Sequence, residues 1–280
     1  MQTKIKSYAK LNLVLNITGK TRTLHKIESI VAFASLHDEI FISKIKSESH
    51  KISFIGKFSK NISKNNTVSK LLKILEKKKL LKNKKFKIKI NKKIPNKAGL
   101  GGGSMNAASI LKFFVKKKII KASKKELLRI SKLIGSDVIL GLNSTNSILN
   151  TNNKIKYFTK YRKFYTLIVK PSFGCSTKEI YSRVKKFNKP KLNKPNKKMF
   201  DLDYLKKMNN SLEPVVFSKY NKLLVIKLFL EKLSNPVLVR MTGSGSAMVA
   251  YFQSKLRCDQ AKKQFQRKYK NYWCIASKTI

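Results

Sequence analysis

The chain has few acidic residues, few histidines and few cysteines, and these shortages exclude several classes of protein. Only 13 of its 280 residues are Asp or Glu, so any carboxylate at a motif stands out. The three cysteines lie far apart and outside any Cys-x-x-Cys spacing, which argues against a disulfide framework and a structural zinc site. They are Cys175, Cys258 and Cys274. The three histidines form no metal-binding pattern.

Long hydrophobic runs are also missing. No stretch approaches the roughly 18 apolar residues of a membrane span, and the first ten residues contain no apolar signal core. We therefore expect no membrane association and a cytoplasmic location. A hydrophobic content of 42% is enough for a sizeable core, which argues against simple disorder. The length predicts about two domains of roughly 150 residues.

Positive charge is abundant: 64 Lys and Arg give a formal net charge of +51. A pI near 10.4 is typical of nucleic-acid-binding proteins. However, the positive charge is nearly all Lys and is spread along the whole chain. Arg is scarce, although its planar guanidinium is the group that binds phosphates and bases with two hydrogen bonds in a fixed geometry. Two interpretations remain, a solvated Lys-rich surface or a positive field that attracts an anionic substrate. We expect no specific nucleic-acid partner.

Hydrophobic spacing predicts alternating strands and helices, hence an α+β fold. The predicted strands are 4–18 (one strand or a strand pair), 27–34, 39–45, 51–55, 86–90, 164–169, two within 237–252, and one from 272. The predicted helices begin near 67 and 105 and cover 124–133, 215–233 and 254–269. The Lys-, Asn- and Pro-containing segment 185–198 has little apolar content, which predicts a flexible surface connection.

Four of the 11 glycines fall within residues 99–103, between a predicted strand and a predicted helix. Glycine lets a ligand approach the main chain closely, and a helix N-terminus offers unpaired N–H groups to anions. This pattern favours a phosphate cradle over an ordinary tight turn. Ser104 stands where a dinucleotide-binding motif needs glycine, no Gly-Lys-Ser/Thr follows this glycine run, and no protein-kinase motif occurs.

The segment 95–108 resembles the second motif of the GHMP kinases, which include galactokinase, homoserine kinase and mevalonate kinase. Its triple glycine followed by Ser-x-Asn-Ala-Ala is most similar to the family that phosphorylates 4-diphosphocytidyl-2-C-methyl-D-erythritol in non-mevalonate isoprenoid synthesis. Further segments agree in the expected order: 9–13 with 17–19, 135–138, 210–213 and 241–246. The resemblance covers nearly the whole chain.

The resemblance implies a two-lobed fold with the active site in the cleft between the lobes. The N-terminal, ATP-binding lobe would span 1–158 and resemble the second domain of a small-subunit ribosomal protein. The C-terminal lobe, 159–280, would be an α/β sandwich. The implied nucleotide-binding residues are Pro95, Asn96, Lys97, Ala98, Gly99, Leu100, Gly101, Gly102, Gly103, Ser104 and Met105, with Asn66 and Lys92 near the adenine. Mg²⁺ is expected with ATP, with Ser104 as a candidate contact and no carboxylate ligand assigned.

Asp137 is the candidate general base. It follows Gly135 at the end of a predicted helix, where a carboxylate can face a cleft, although the same position suits an N-cap of the next helix. The resemblance implies that Asp137 accepts the proton of the substrate hydroxyl. It also implies that Lys10 pairs with Asp137, orients it and stabilises the charge that develops on the acceptor oxygen.

The remaining implied residues bind the acceptor substrate. Asn12 is either a satisfied polar group of a strand or a substrate ligand. The resemblance places His25 and the aromatic ring of Tyr181 at a cytosine base, whereas the residues alone allow a structural histidine and a core or surface tyrosine. Leu24 stands where the family has a second stacking ring. The second glycine loop is assigned to the substrate through Thr242, Gly243 and Ser244.

The predicted function is therefore phosphorylation by ATP of the 2-hydroxyl of a cytidine diphosphate-linked polyol, by a monomer or homodimer. One alternative is another GHMP kinase, of the homoserine or mevalonate type, whose substrate has no base to stack on His25 and Tyr181. A second alternative is a basic nucleic-acid-binding protein, which predicts a steep loss of affinity with salt and no need for Asp137.

Overall fold

The computed structural model describes residues 2–22, 24–159 and 163–280. The strands are β1 Gln2–Lys20, β2 His25–Ile45, β3 Lys51–Ile55, β4 Lys85–Asn91, β5 Ser147–Leu149, β6 Ile155–Tyr157, β7 Tyr165–Lys170, β8 Leu238–Met241, β9 Met248–Phe252 and β10 Trp273–Lys278. The helices are α1 Thr67–Lys77, α2 Gly102–Lys116, α3 Lys124–Ile134, α4 Val138–Gly141, α5 Thr177–Ser182, α6 Leu202–Lys207, α7 Glu213–Lys219, α8 Asn221–Glu231 and α9 Lys255–Lys268, with a 3₁₀ turn at Lys197–Phe200. The predicted α+β class is confirmed, and within the described ranges no helix is long and apolar enough to span a membrane.

Contacts among the described residues define two compact units that are interleaved along the chain. The first unit lies within Met1–Ala9, Leu36–Asn96 and Gly101–Ser144, and the second within Lys10–Ser35, Lys97–Leu100 and Thr145–Ile280. The two predicted lobes were consecutive in sequence, and their boundary at 158/159 falls inside the second unit. Residues 160–162, at the start of the predicted second lobe, lie outside the described residues.

In the first unit, three helices cover a small sheet. Strand β4 pairs antiparallel with the second half of β2 and parallel with β3. Phe86, Ile88 and Ile90 alternate with lysines along β4 and are buried, as the sequence predicted. The apolar faces of α1, α2 and α3 complete this core.

In the second unit, an antiparallel sheet with the strand order β10–β7–β9–β8 packs against α7, α8 and α9. The first half of β2 pairs antiparallel with β5, which in turn pairs with β6. The turn between β8 and β9 carries residues 242–247, so the second glycine loop lies at one end of this sheet.

The predicted division of two segments is wrong, and α2 begins at Gly102 rather than near 105. The predicted strands 27–34 and 39–45 form the single strand β2, because the fully buried Asp38 finds hydrogen-bond donors and so does not interrupt it. The predicted helix 215–233 is two helices, α7 and α8, because Tyr220 has φ −125° and ψ 72°, outside the helical region.

The segment 185–198, predicted to be flexible, is fixed by hydrogen bonds. Glu28 is fully buried, and its carboxylate accepts the backbone N–H groups of Lys191 at 2.5 Å and Leu192 at 3.0 Å. The backbone N–H of Asn188 donates to the carbonyl of Ile17 at 2.8 Å. The low apolar content of this segment therefore does not make it flexible, because hydrogen bonds from its main-chain N–H groups hold it in place.

Candidate active site

The first unit contains the end of the glycine loop and the start of α2. Gly101 occupies the N-cap position of α2 with a left-handed φ of 68°. Glycine has no side chain with which to cap the first-turn N–H groups of Gly102, Gly103 and Ser104. These donors and the positive end of the helix dipole are arranged as an anion site requires, so this end of the loop is suited to bind an anion such as a phosphate group.

The N-terminus of α1 adjoins that of α2. The Thr67 hydroxyl donates to the Gly103 carbonyl at 2.6 Å. Asn66 is the N-cap of α1: its side-chain oxygen accepts the N–H groups of Val68 and Ser69 at 3.0 and 3.1 Å. Its amide donates to Ser63 at 2.9 Å. Asn66 thus lies beside the loop, with its side chain occupied by helix capping.

Beneath this loop lies a buried ion pair between Lys92 and Asp38. The side chains of Lys92 and Asp38 are 3% and 0% exposed, and Lys92 Nζ donates to Asp38 Oδ2. The same oxygen accepts the Asn106 amide at 3.0 Å. A Cβ on Gly102 would lie 3.2 Å from Lys92 Nζ. The ammonium of Lys92 therefore lies against the first turn of α2.

The other oxygen of Asp38 fixes the main chain just before the loop. Asp38 Oδ1 accepts the backbone N–H groups of Lys93 and Ile94, both at 2.8 Å. One carboxylate thus holds the end of β4 and, through Asn106, helix α2. Sequence reasoning missed Asp38 because an isolated Asp in a predicted strand carries no local signal of its partners.

Asp137 also belongs to the first unit, at the start of a short helix that packs on α2. It is half-buried at the N-cap position of α4, where its side chain makes no capping hydrogen bond to the helix. A Cβ on Gly135 would lie 3.9 Å from Ser104 Oγ. A Cβ on Gly141 would lie 2.6 Å from Ala108 Cβ, so α4 packs closely on α2. Because the side chain of Asp137 makes no capping hydrogen bond, the structure does not support its alternative role as a helix N-cap.

In the second unit, Lys10 and Asn12 form a buried polar pair on β1. Their exposed fractions are both 3%, and Lys10 Nζ donates to Asn12 Oδ1 at 2.7 Å. The Asn12 amide donates to Ser29 Oγ at 2.8 Å. The backbone N–H of Lys10 donates to the carbonyl of Leu100 at 3.0 Å. Lys10 and Asn12 are thus held directly beside the segment 97–100.

The second glycine loop holds the segment 97–100 from the other side. The Thr242 hydroxyl donates to the Gly99 carbonyl at 3.2 Å and accepts the Asn12 N–H at 3.0 Å. Thr242 is fully buried, so its hydroxyl links these two segments. Ser246 and Ala247 donate backbone N–H groups to the carbonyls of Lys97 and Ala98.

Asn210 fixes the second glycine loop itself. Its amide donates to the carbonyls of Met241 at 2.9 Å and Gly243 at 2.8 Å. Gly243 has φ +55°, and Ser244 Oγ lies 2.9 Å from Thr177 Oγ1. Thr242, Gly243 and Ser244 thus form a rigid loop against the segment 97–100.

Gly99 is the glycine whose replacement the second unit tolerates least. It has φ +73°, and a Cβ there would lie 1.9 Å from the carbonyl oxygen of Thr242. We expect Gly99→Ala to lower the unfolding free energy by about 2–3 kcal/mol, because both the left-handed backbone and the main-chain clash must be relieved. The KM for ATP should rise as well.

Urea unfolding and ATP-dependent turnover test this expectation, with Gly19→Ala as the matched control. A Cβ on Gly19 would meet only the Lys26 side chain at 3.7 Å, so a change within about 0.5 kcal/mol is expected. Equal stability of the two variants would contradict the tight approach of the loops.

His25 and Tyr181 come together in the second unit. Their ring centroids lie 5.2 Å apart at an interplanar angle of 51°. Burial, followed by the charge of Lys20, lowers the pKa of His25. The imidazole is therefore predominantly neutral near pH 7, and such a ring can hydrogen-bond a base without carrying a charge.

No group of three or more His, Cys, Asp or Glu side chains that could hold a metal ion occurs within residues 2–22, 24–159 and 163–280. Mg²⁺ commonly keeps several waters and binds through substrate phosphates with few protein ligands. The N–H groups at the start of α2 can bind phosphates, so this region is compatible with Mg²⁺ bound mainly through the phosphates. Ser104 contributes a side-chain hydroxyl there.

Comparisons with known proteins agree with this architecture. A family model of the GHMP kinases N terminal domain matches residues 66–150. A crystal structure of 4-(cytidine 5'-diphospho)-2C-methyl-D-erythritol kinase superposes with a TM-score of 0.78 at 21% identity, covering 99% of this chain and 100% of that one. L. major mevalonate kinase in complex with R-mevalonate gives 0.69 at 14% identity, covering 99% and 95%. The fold is that of a GHMP kinase.

Sequence similarity shows to which family of GHMP kinases the chain is related. The chain is 57% identical to 4-diphosphocytidyl-2-C-methyl-D-erythritol kinase of Pelagibacter ubique (strain HTCC1062) over 277 residues, 99% of each chain. It is 30% identical to the kinase of the same name from Clostridium beijerinckii, covering 96% of this chain and 97% of that one. The chain belongs to the 4-diphosphocytidyl-2-C-methyl-D-erythritol kinase family. The predictions of the family and of an ATP-dependent small-molecule kinase are thereby confirmed.

Proposed function

We propose that this kinase transfers the γ-phosphoryl group of ATP to the 2-hydroxyl of 4-diphosphocytidyl-2-C-methyl-D-erythritol. The observation that carries the proposal is the 57% identity over 99% of both chains to a kinase named for this substrate. The neutral imidazole of His25 beside the Tyr181 ring supports it, since the alternative alcohols of homoserine and mevalonate kinases offer no base to these rings.

Asp137 is proposed as the general base. It lies at the N-cap position of the short helix α4, which packs against α2, and its carboxylate is not engaged in helix capping. As the acceptor oxygen bonds to the γ-phosphorus, its proton passes to the Asp137 carboxylate. ATP supplies the phosphoryl group and leaves as ADP.

Lys10 and Asn12 are proposed to act on the acceptor. The Nζ of Lys10 carries the positive charge that stabilises the developing negative charge on the acceptor oxygen. Its bond to Asn12 Oδ1 restricts where that charge lies, and Asn12 is in turn fixed by Ser29 and Thr242. A charge held in place in this way needs no reorganisation during the reaction.

The glycine loop is proposed to hold the phosphates. The first-turn N–H groups of α2 bind their oxygens, and the ammonium of Lys92, paired with Asp38, lies against Gly102 behind them. We propose that Mg²⁺ accompanies the phosphates and that Ser104 Oγ contacts it. We retain the sequence-based expectation of a cytoplasmic monomer or homodimer.

A coupled assay of ADP release tests the substrate assignment. We expect turnover with 4-diphosphocytidyl-2-C-methyl-D-erythritol and no ADP release above background with homoserine or mevalonate. Omission of Mg²⁺ should abolish turnover, which checks the metal requirement separately. Faster turnover with homoserine or mevalonate would overturn the assignment and leave the family membership intact.

A further inference from the structure

A third ring lies next to His25 and Tyr181 in the second unit. The Phe187 ring centroid is 6.2 Å from that of His25, at an interplanar angle of 52°. Phe187 is 45% exposed, so much of its aromatic face is available to a ligand. Its position inside the Lys- and Asn-rich segment 185–198 gave no sequence signal that its ring would lie beside His25.

His25 has a polar atom that needs a partner. Its Nε2 is buried and has no hydrogen-bond partner within the described residues. Buried polar atoms are nearly always hydrogen-bonded, so an orphaned one beside exposed aromatic surface indicates a ligand group. A neutral imidazole suits the uncharged edge of a heterocyclic base.

The backbone that carries Phe187 is held firmly. Next to it, Asn188 donates its backbone N–H to Ile17 and its side-chain amide to Asn16 Oδ1 and Ser211 Oγ, at 2.8, 2.8 and 2.9 Å. The buried Glu28 fixes the chain a few residues further on. An exposed ring on an anchored backbone loses little entropy on binding a flat ligand, which makes it an effective stacking surface.

Leu24 does not provide such a surface. It is 65% exposed in the turn before β2, and its backbone N–H and carbonyl are both bonded to Thr21. Its side chain is aliphatic and has no π-face. Besides Tyr181, Phe187 is an aromatic ring that lies beside His25.

We propose that Phe187 is a specificity-determining residue that stacks on the pyrimidine base of the acceptor substrate, while His25 Nε2 hydrogen-bonds the edge of the base. This inference rests on the proposed function. Because Nε2 is buried, a base reaches it only when a group that covers this atom moves. Phe187 is half-exposed and can turn at small cost in buried area, closing over the base once it has entered.

The test measures the KM for the cytidyl acceptor and the Kd for cytidine 5'-diphosphate. We expect both to rise about 5- to 20-fold in Phe187→Ala and Phe187→Leu, because a base–aromatic stack is lost. Phe187→Tyr should keep wild-type values, since it retains the ring. The KM for ATP should change by less than about twofold in all three variants, because the ATP phosphates bind elsewhere.

Tyr157→Ala is the matched control, since Tyr157 is a 37% exposed aromatic residue on β6. Asn188→Ala tests the anchoring and should raise the acceptor KM by a smaller factor than Phe187→Ala. Wild-type values in Phe187→Ala and Phe187→Leu, or an equal rise in Tyr157→Ala, would overturn the inference while the kinase still phosphorylates the cytidyl acceptor. No turnover of that acceptor by the wild-type protein would instead overturn the proposed function and this inference with it.

Discussion

Asp137→Asn is expected to reduce kcat by about 100-fold or more while the KM for ATP stays close to the wild-type value. The amide cannot take the proton of the acceptor hydroxyl, and it nearly preserves the shape of the carboxylate. The side chain of Asp137 makes no capping bond to α4, so the loss should not come from unfolding of that helix. Steady-state kinetics with the cytidyl acceptor measure the effect.

Asp203→Asn is the matched control, because it makes the same chemical change at an exposed site in the first turn of α6. It should leave kcat unchanged. Thermal melting of both variants checks that they are folded. Near-wild-type turnover by Asp137→Asn would remove Asp137 from the role of general base, although the protein would remain a kinase of this family.

Asp38→Asn is expected to cost about 3–5 kcal/mol of unfolding free energy, because it leaves the buried Lys92 ammonium without its counter-charge. All four groups bonded to Asp38 are donors: the N–H groups of Lys93 and Ile94 on one oxygen, and Lys92 Nζ and the Asn106 amide on the other. Either orientation of an asparagine at 38 would point its NH₂ at two of these donors. Urea unfolding measures the loss.

The double variant Asp38→Asn/Lys92→Met separates charge from hydrogen bonding. Removal of the unpaired ammonium should recover part of the lost stability, so the two changes should not be additive. A double variant less stable than Asp38→Asn alone would show that the charge of Lys92 is not what makes the single change costly.

Local patterns in the sequence were sufficient to predict the glycine loop and the presence of α1 and α2 beside it. Gly99 to Gly103 and the apolar spacing after Asn66 are signals within a few residues, and the conformations follow from the same residues. Gly101 caps α2 in the left-handed region, and Asn66 caps α1.

Features that depend on distant parts of the chain were not predictable in this way. Asp38 meets Lys92 across 54 positions, and Glu28 meets Lys191 across 163. In the sequence, Asp38 and Glu28 are ordinary polar residues in strands, and Phe187 is one apolar residue among lysines. Only the folded chain shows that buried carboxylates pair with main-chain donors and that the Phe187 ring faces His25.

The anchoring of segment 185–198 by Glu28 explains how this segment holds many lysines and still keeps a fixed backbone. Glu28 contacts the main-chain amides of Lys191 and Leu192, and a main-chain amide is the same whichever side chain follows it. At position 191 in particular, the anchor itself excludes only proline, which lacks the N–H. Mutational drift toward a lysine-rich composition can thus proceed there without disturbing the backbone that holds Phe187 beside His25.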